Sequence, residues 1–304
     1  MPAQRKKSRR LKSPKRKIFL YFLFSLILIF FPSFVFLQKR VWNGKDKLSV
    51  VINNPSGDIL ISTFDPNTKE IINLNISGEL EVELARRLGI WKLKSVWKLA
   101  ENENIEGKLL TETITKYLKL PVFLWADFPA GGFSKGGLGL IKAVFLPYET
   151  NLKMSDRLGI GLFSLRVNNK NKVDIDLAKS GFLEEATLTD GSSGYRLLRK
   201  LPDFIQAGFS DNQLSREKAK MIIKDRSGFN NSASELGEVV EVLGAKMASI
   251  VKEEEEDSDC LVKSKDRRLG RKIAWIFSCQ LDEKDLEGNF NFEVILGKRF
   301  AQRF

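Results

Sequence analysis

The most apolar part of the chain is one uninterrupted run near its N-terminus. Residues 18–37 read IFLYFLFSLILIFFPSFVFL and contain no charged side chain. At about 1.5 Å per residue, a helix of this length spans the roughly 30 Å hydrocarbon core of a bilayer. The run also lacks the polar face of an amphipathic helix. This pattern predicts a transmembrane helix over residues 18–37.

The charges on either side of this run predict its orientation. The first 17 residues carry nine Lys or Arg side chains and no acid, whereas few basic residues follow the run. Because Lys and Arg favour the cytoplasmic side, we expect a cytoplasmic tail at 1–17, a stalk at 38–47 and an extracytoplasmic bulk. A cleaved signal peptide is the alternative. Its apolar region is shorter and ends in small residues, whereas this run ends in FVFLQKRVW, which favours an uncleaved anchor.

Short apolar runs beyond the stalk predict the strands of a first domain, residues 48–205. LSVVIN at 48–53, DILISTF at 58–64 and IINLNI at 71–76 have the length and composition of buried strands. The intervening DPNTK at 65–69 is a turn sequence, since proline fixes φ and Asp and Asn bind their own backbone. The pattern therefore predicts a hairpin of the second and third strands.

Longer segments of this domain predict helices and one flexible loop. ELEVELARRL at 79–88 has leucines four residues apart, which predicts a helix, and KLLTETITKYL at 108–118 predicts another. The glycine-rich stretch 127–139 lacks the Gly-Lys-Ser/Thr of a phosphate-binding loop, and we expect a flexible loop there. Further elements are expected at 94–100 and 153–165 (helices) and at 122–126, 173–177 and 185–188 (strands).

Strands and helices alternate in the last part of the chain. After a link at 206–215, residues 216–304 predict a second, smaller α/β domain. The acidic run 253–257 is expected to be a solvated loop, because like charges at this density repel one another. The expected strands lie at 219–224, 246–251, 260–263 and 291–296. One helix is expected to end near 243, and a second is expected at 267–277.

Composition excludes several classes of function. The formal net charge is +12, but the N-terminal 17 residues hold nine of these charges, and no basic stripe of the kind that binds nucleic acid follows. We therefore expect no nucleic-acid partner and disfavour a DNA-binding regulator. The chain has no histidine, which excludes Ser-His-Asp and Cys-His catalysis and His-containing zinc sites.

Residues 219–251 resemble the C-terminal domain of LytR-CpsA-Psr envelope proteins. That family has a strand, an Asn-Gly-Ser/Thr-Gly turn, a helix of small residues, then Leu-Gly and a second strand. Here the turn is DRSG at 225–228, Ala233 falls at the family's helical alanine, and Leu243-Gly244 and Leu296-Gly297 match later positions. The resemblance covers nearly all of 216–300.

The first domain resembles the catalytic domain of the same family less closely. An Asp, an apolar strand, Asp-Pro-x-Thr-Lys and another strand occur in the family's order, but the family's next motif, Ile-Pro-Arg-Asp, reads Ile-Ser-Gly-Glu at 76–79. The Arg and Asp of that motif belong to the active site, which uses magnesium to transfer glycopolymers from a polyprenyl pyrophosphate carrier to peptidoglycan. Later Arg-x-Arg and Asp-x-x-Arg stretches of the family are not recognisable here.

The resemblance leaves two hypotheses. The first is a catalytically inactive, membrane-anchored envelope protein without a cofactor, which binds or scaffolds wall or surface glycopolymer or contacts other envelope proteins. The second is an active magnesium-dependent transferase in which Asp58 holds the metal and Arg86 and Arg87 hold the pyrophosphate. Each residue also has a structural interpretation: Asp58 as a turn residue at a strand end, and the adjacent arginines as a solvated helix face.

Two cysteines, Cys260 and Cys279, occur in the second predicted domain. An extracytoplasmic location permits a disulfide, and the strand and helix between them bring the chain back towards its start. The sequence therefore makes them a candidate disulfide, with two buried free thiols as the alternative.

Overall fold

The structure is a computed structural model that describes residues 40–282, 286 and 288–304. The predicted tail at 1–17 and the predicted span at 18–37 lie outside these residues. Every helix within the described part of the chain is too short or too polar to cross a bilayer.

The first half of the described chain contains nine strands and six helices. The strands are β1 (Leu48–Asn53), β2 (Ile59–Asp65), β3 (Glu70–Ile76), β4 (Glu81–Glu83), β5 (Ile90–Lys92), β6 (Leu124–Asp127), β7 (Lys172–Asp176), β8 (Leu183–Thr187) and β9 (Ser193–Leu197). The helices are α1 (Leu93–Asn102), α2 (Lys108–Leu118), α3 (Gly132–Lys135), α4 (Gly137–Phe145), α5 (Met154–Arg166) and α6 (Asp203–Ala207), and short 3-10 turns cover Ala85–Arg87, Phe128–Gly131 and Asn169–Asn171.

The second half adds five strands and four helices among the described residues. The strands are β10 (Lys220–Arg226), β11 (Lys246–Lys252), β12 (Cys260–Ser264), β13 (Gln280–Leu281) and β14 (Phe292–Gly297). The helices are α7 (Asn212–Glu217), α8 (Ser232–Leu243), α9 (Arg267–Phe277) and α10 (Lys298–Arg303). The predicted α/β architecture is confirmed for the described residues, while the predicted domain limits stay a prediction.

A five-stranded sheet with helices on both faces forms the first half. Its order is β6-β1-β2-β3-β7. Strand β2 is antiparallel to β1 and to β3, whereas β6 is parallel to β1 and β7 is parallel to β3. Because side chains alternate between faces, Ile59 and Ile61 of β2 pack towards α1 and α2, whereas Leu60 and Phe64 pack towards α3, α4 and α5. The central strand is buried on both faces, as its continuous apolar run predicts.

A second five-stranded sheet forms the C-terminal half. Its order is β11-β10-β14-β12-β13, and β12 is antiparallel to β14 while the other pairs are parallel. One apolar cluster joins Ile223 and Val294 of the sheet to Leu236 of α8, Ile273 of α9 and Phe300 of α10. Gly244 has a φ of 102° and ends α8, as its position after the apolar stripe predicts.

The helix predicted at 79–88 is wrong. β4 and β5 form an antiparallel ribbon here, and a 3-10 turn lies between them. Leu80, Val82 and Leu84 are buried, whereas Glu81 and Glu83 alternate with them and are more exposed. The four-residue spacing of the leucines fits a helix and a strand equally, and Val82 between them gives the segment the two-residue period of a strand.

The flexible loop predicted at 127–139 is also wrong. The segment forms a 3-10 turn, α3 and the start of α4. A Cβ atom on Gly132 would lie 1.9 Å from the carbonyl oxygen of Gly139, so the absence of a side chain lets α3 and α4 meet backbone to backbone. The glycines therefore serve close helix packing rather than flexibility.

Two other segments differ from expectation. The predicted link at 206–215 contains parts of the helices α6 and α7. The acidic run is an irregular segment, as predicted, but two of its side chains are paired: Glu253 and Glu256 accept hydrogen bonds from the Arg226 guanidinium at 2.7 and 2.6 Å. This pairing ties the run to the end of β10.

Candidate functional site

Asp58 lies at the turn that leads into β2. Its Oδ1 accepts a hydrogen bond from the backbone N–H of Gly78 at 3.0 Å, and its Oδ2 accepts one from the hydroxyl of Ser56 at 3.1 Å. Both carboxylate oxygens are therefore engaged by the protein itself. In these contacts Asp58 connects two turns of the first sheet.

The segment 76–79, which aligns with the transferase motif, holds an ion-pair cluster of its own. The Glu79 carboxylate accepts hydrogen bonds from Lys92 at 2.8 Å and from Lys94. The hydrogen bonds from Lys92 and then Lys94 hold the pKa of Glu79 below its usual value. A carboxylate that is already neutralised by two lysines fits the role of a structural ion pair.

Gly78 occupies the position of the motif's arginine, and no side chain fits there. A Cβ atom on Gly78 would lie 2.3 Å from the carbonyl oxygen of Gly57 and 2.9 Å from the Cβ atom of Lys94. Both distances are shorter than van der Waals contact, so the backbone at 57 or 78 would have to move to accept even alanine. The chain therefore lacks the arginine and also the space for it.

Arg86 and Arg87 belong to the packing between the two halves of the molecule. The Arg86 guanidinium donates two hydrogen bonds to the carboxylate of Glu112 on α2, at 2.7 and 3.2 Å. The Arg87 guanidinium lies 4.6 Å from the ring centroid of Phe229, which follows β10. Glu112 is buried, and the Arg303 guanidinium of α10 lies 3.9 Å from it.

The three candidate residues each contact different parts of the protein. No hydrogen bond or ion pair within the described residues joins Asp58 to Arg86 or Arg87. Nor does the described part of the chain contain a group of three Asp, Glu or Cys side chains placed to hold a metal. Mg²⁺ prefers an octahedral set of oxygen ligands, and Asp58 is the single carboxylate that the transferase hypothesis offers for it.

A cleft of about 370 Å³ lies between the start of the described chain and helix α9. One wall is the segment 40–48 and the other is the outward face of α9. Trp275, with 37% of its surface exposed, lies in this wall, and its ring centroid is 5.5 Å from that of Phe123. The charged residues that line the cleft are Arg40, Asp46, Lys47, Arg268, Arg271 and Lys272.

The first wall of the cleft is held by helix α5. The backbone N–H groups of Val41 and Trp42 donate to Oδ1 of Asp156 at 3.0 and 2.9 Å, and the Trp42 indole N–H donates to the carbonyl oxygen of Asp46 at 2.7 Å. Desolvation raises the pKa of Asp156, and these N–H groups oppose that effect. The predicted stalk is thus partly folded against the first domain.

Most basic groups of the cleft already have an acidic partner. Lys272 donates to the buried Asp211 at 2.6 Å, Arg268 pairs with Asp46, and Lys47 lies 3.4 Å from Asp65. Burial opposes ionisation of Asp211, but Lys272 and two backbone N–H groups outweigh it and lower the pKa of this carboxyl. These pairs fix the walls of the cleft.

Arg271 is different, because it has no ion pair or hydrogen bond within the described residues. It lies four residues before Trp275 on α9, so the two side chains share one face of the helix. An unpaired guanidinium beside an exposed indole can bind a phosphate or carboxylate and, at the same time, the apolar face of a sugar. This combination makes the cleft the candidate binding site.

A second cavity, of about 480 Å³, lies on the other side of the Phe123–Trp275 pair. It shares Val41, Phe123 and Trp275 with the cleft, and its charged lining residues are Glu106, Lys108, Glu112 and Lys153. The two cavities therefore meet at the aromatic pair, at the junction of the two halves. Junctions of this kind are common positions for ligand sites.

Cys260 and Cys279 form a disulfide, with Cα atoms 4.9 Å apart. The bond joins the start of β12 to the residue two positions after the end of α9. Arg303 donates hydrogen bonds to the carbonyl oxygens of Phe277 and Ser278 at the same end of the helix. Helix α9, which carries Arg271 and Trp275, is thus fastened at its C-terminal end.

No protein-family model matches the chain, and no curated protein does either. Among solved structures, B. subtilis TagV is similar over 51% of this chain and 92% of its own, at 12% identity and a TM-score of 0.39. B. subtilis TagT is similar over 53% of this chain and 88% of its own, at 14% identity and a TM-score of 0.38. A LytR-CPS2A-Psr family protein, TagT with bound octaprenyl pyrophosphate lipid, is 14% identical over 53% of this chain and 87% of its own, with a TM-score of 0.37. At these values the likeness assigns neither a family nor an activity to this chain.

Proposed function

We propose that the protein is a membrane-anchored envelope protein without transferase activity that binds an anionic wall or surface glycopolymer in the cleft beside α9. The observation that carries this proposal is that one cleft holds the exposed Trp275 and Arg271, which has no hydrogen bond or ion pair among the described residues. The predicted anchor at 18–37 would hold this cleft outside the cell membrane, within reach of such a polymer.

The chemistry of the cleft suits a charged saccharide. Repeating phosphate or carboxylate groups of a glycopolymer would bind the planar guanidinium of Arg271, which can donate two parallel hydrogen bonds. Sugar rings expose C–H faces that pack on aromatic side chains, and Trp275 offers such a face. Because Lys47, Arg268 and Lys272 already have acidic partners, Arg271 is the group that we expect to bind the anion.

The groups that the transferase hypothesis needs already have contacts within the protein. Phosphoryl transfer depends on arginines and a metal that neutralise the developing charge. Arg86 is bound to Glu112, Arg87 lies over Phe229, and both Asp58 oxygens accept hydrogen bonds. The chain also has glycine at 78, where the motif has an arginine, and loss of one such group costs a few kcal/mol of transition-state stabilisation, or about 10²–10³ in rate.

Equilibrium binding of the full chain tests this proposal. Isolated anionic wall glycopolymer is titrated against the protein in detergent micelles, and Arg271→Ala and Trp275→Ala are each expected to weaken binding about tenfold or more. Arg299→Ala and Trp91→Ala are matched controls, since both residues are exposed and lie outside the cleft. Equal affinity in all four variants would contradict the proposed site.

A further inference from the structure

Large apolar side chains are exposed on the outward sides of the neighbouring helices α4 and α5 and just after α4. Leu138 is 78% exposed and Leu165 is 70% exposed. Single exposed apolar residues are ordinary, but a group of them marks an interaction surface. This surface, called the apolar patch below, consists of Leu138, Ile141, Phe145, Leu146, Leu162 and Leu165.

Helix α4 carries more apolar side chains than its packing against the core requires. Leu140 and Val144 of this helix are buried against the first sheet, as any amphipathic helix would require. Leu138, Ile141 and Phe145 recur at intervals of three and four on the opposite side, where a soluble domain ordinarily places polar residues. Helix α4 is therefore apolar on both faces.

Close packing makes the two helices one surface. A Cβ atom on Gly161 of α5 would lie 2.7 Å from a methyl carbon of Val144, so glycine lets α4 approach α5 directly. The Arg157 guanidinium of α5 donates to the carbonyl oxygens of Ala143 and Leu146 and lies 4.2 Å from the ring centroid of Tyr148. These contacts hold the C-terminal end of α4 in place beside α5.

The start of the described chain places this surface close to the apolar run. Asp156, in the first turn of α5, holds the backbone of Val41 and Trp42. Only three residues separate the end of the run at 37 from Val41, a distance of roughly 14 Å at most when fully extended. Leu162 and Leu165 lie six and nine residues beyond Asp156, or about 9 and 14 Å along the helix.

The charges around the patch suit anionic lipid. Residues 128–172 contain seven Lys or Arg side chains and two acids, and one of each, Arg157 and Asp156, is buried. Lys142 and Arg166 are exposed and adjoin patch residues in sequence. Apolar side chains flanked by long basic ones are the pattern of helices that lie in a bilayer interface.

We propose that the apolar patch of α4 and α5 lies on the outer leaflet of the membrane that holds the 18–37 run. The lipid surface would cover the patch, and Lys142 and Arg166 would reach lipid phosphates. The inference rests on the predicted anchor but is independent of polymer binding, since it involves none of the cleft residues. It also implies a fixed tilt of the whole domain on the membrane.

Fluorescence quenching by lipid tests this placement in the full chain. Ile141→Cys and Leu165→Cys, each labelled with an environment-sensitive dye, are reconstituted in vesicles of phosphatidylcholine and phosphatidylglycerol that carry nitroxide-labelled lipid. Both native cysteines are in the disulfide, so the introduced thiol alone is labelled. Ile250→Cys on β11 is the control, because it is also an exposed apolar position but lies on the second sheet.

The expected result is quenching about twofold or more stronger at 141 and 165 than at 250. The substitution Leu162→Glu, combined with Ile141→Cys, should lower lipid quenching at 141 to the level at 250. It should leave the melting temperature unchanged, because the Leu162 side chain is exposed in the folded protein. Equal quenching at all three positions would overturn the proposal. Energy transfer between labelled chains in place of lipid quenching would assign the patch to a second copy and would overturn it as well.

Discussion

Arg86 illustrates how one contact decides between a catalytic and a structural role. Its guanidinium neutralises Glu112, a carboxylate whose side chain is only 7% exposed. Sequence alone gives no means of pairing residues 86 and 112, since the pair forms only once the Ala85–Arg87 turn packs beside α2. The adjacent arginines were therefore equally compatible with a phosphate site and with a solvated surface.

Replacing Arg86 is predicted to affect stability. Arg86→Ala leaves a buried carboxylate whose remaining cations among the described residues are more distant, Lys108 at 3.7 Å and Arg303 at 3.9 Å. We expect a loss of about 2 kcal/mol in the free energy of unfolding, measured by urea titration. Arg299→Ala is the matched control, because that arginine is exposed and should change stability by less than about 0.5 kcal/mol. Equal losses for the two variants would refute the structural role.

Asp211 gives the second residue-scale prediction, a dependence on pH. Its pKa in the folded protein is lowered despite burial, because Lys272 and the N–H groups of Gln213 and Leu214 favour the carboxylate. A lowered pKa contributes stability that is present above the unfolded value of about 3.9 and is lost as pH falls through the folded value.

Asp211→Asn should therefore lower the free energy of unfolding by about 2 kcal/mol at pH 7, and by progressively less below pH 4. Urea titrations at several pH values measure the difference between the variant and the wild type. A difference that stays constant down to about pH 2 would show that ionisation of Asp211 makes no contribution to stability.

At the scale of elements, adjacent glycines provide a matched comparison. Gly132 touches Gly139, whereas a Cβ atom on Gly131 would meet no atom within 4 Å and its φ of −57° suits any residue. We expect Gly132→Ala to destabilise the protein by about 1–3 kcal/mol and Gly131→Ala to be neutral or slightly stabilising. Thermal unfolding of the two variants measures this. Equal melting temperatures would restore the flexible-loop interpretation of 127–139.

The disulfide is the second element-scale test. Cys260 and Cys279 close a loop with a sequence separation of 19, and such a constraint contributes about 3 kcal/mol by restricting the unfolded chain. The double variant Cys260→Ser/Cys279→Ser should melt at a lower temperature than the wild type and be insensitive to reductant. Two free thiols in the denatured, unreduced wild type would instead show that the bond does not form.

Predicting helices and strands from the sequence succeeded where the spacing of apolar residues fits one kind of element. It failed where that spacing fits both a helix and a strand. The continuous run of β2 and the capped stripe of α8 each allow one interpretation, and both elements form as expected. Leu80 and Leu84 allow a helix or a strand, and the choice depends on pairing with β5, which local sequence does not contain. Gly132 and Gly139 look like a loop until the helices that they bring together are known.

At the scale of the whole molecule, the cleft depends on contacts between distant segments. Arg271 and Trp275 share a helix face, which the sequence of α9 shows, but Phe123 and the 40–48 segment reach them only through the packing of both halves. The sequence supplied the apolar run, the candidate disulfide partners and the departure from the transferase motif at 76–79. It could not supply the opposite wall of the site.

One assay measures the central claim, that this protein binds glycopolymer without transferring it. The full chain is incubated with a polyprenyl-pyrophosphate-linked glycan and peptidoglycan, with and without Mg²⁺, and bound glycan and released polyprenyl phosphate are quantified in the same sample. We expect the wild type to bind the glycan and Arg271→Ala to lose this binding. We also expect no Mg²⁺-dependent release of polyprenyl phosphate above a protein-free control. Release that requires Mg²⁺ and disappears in Asp58→Asn would contradict the account and assign the residue to a working transferase site.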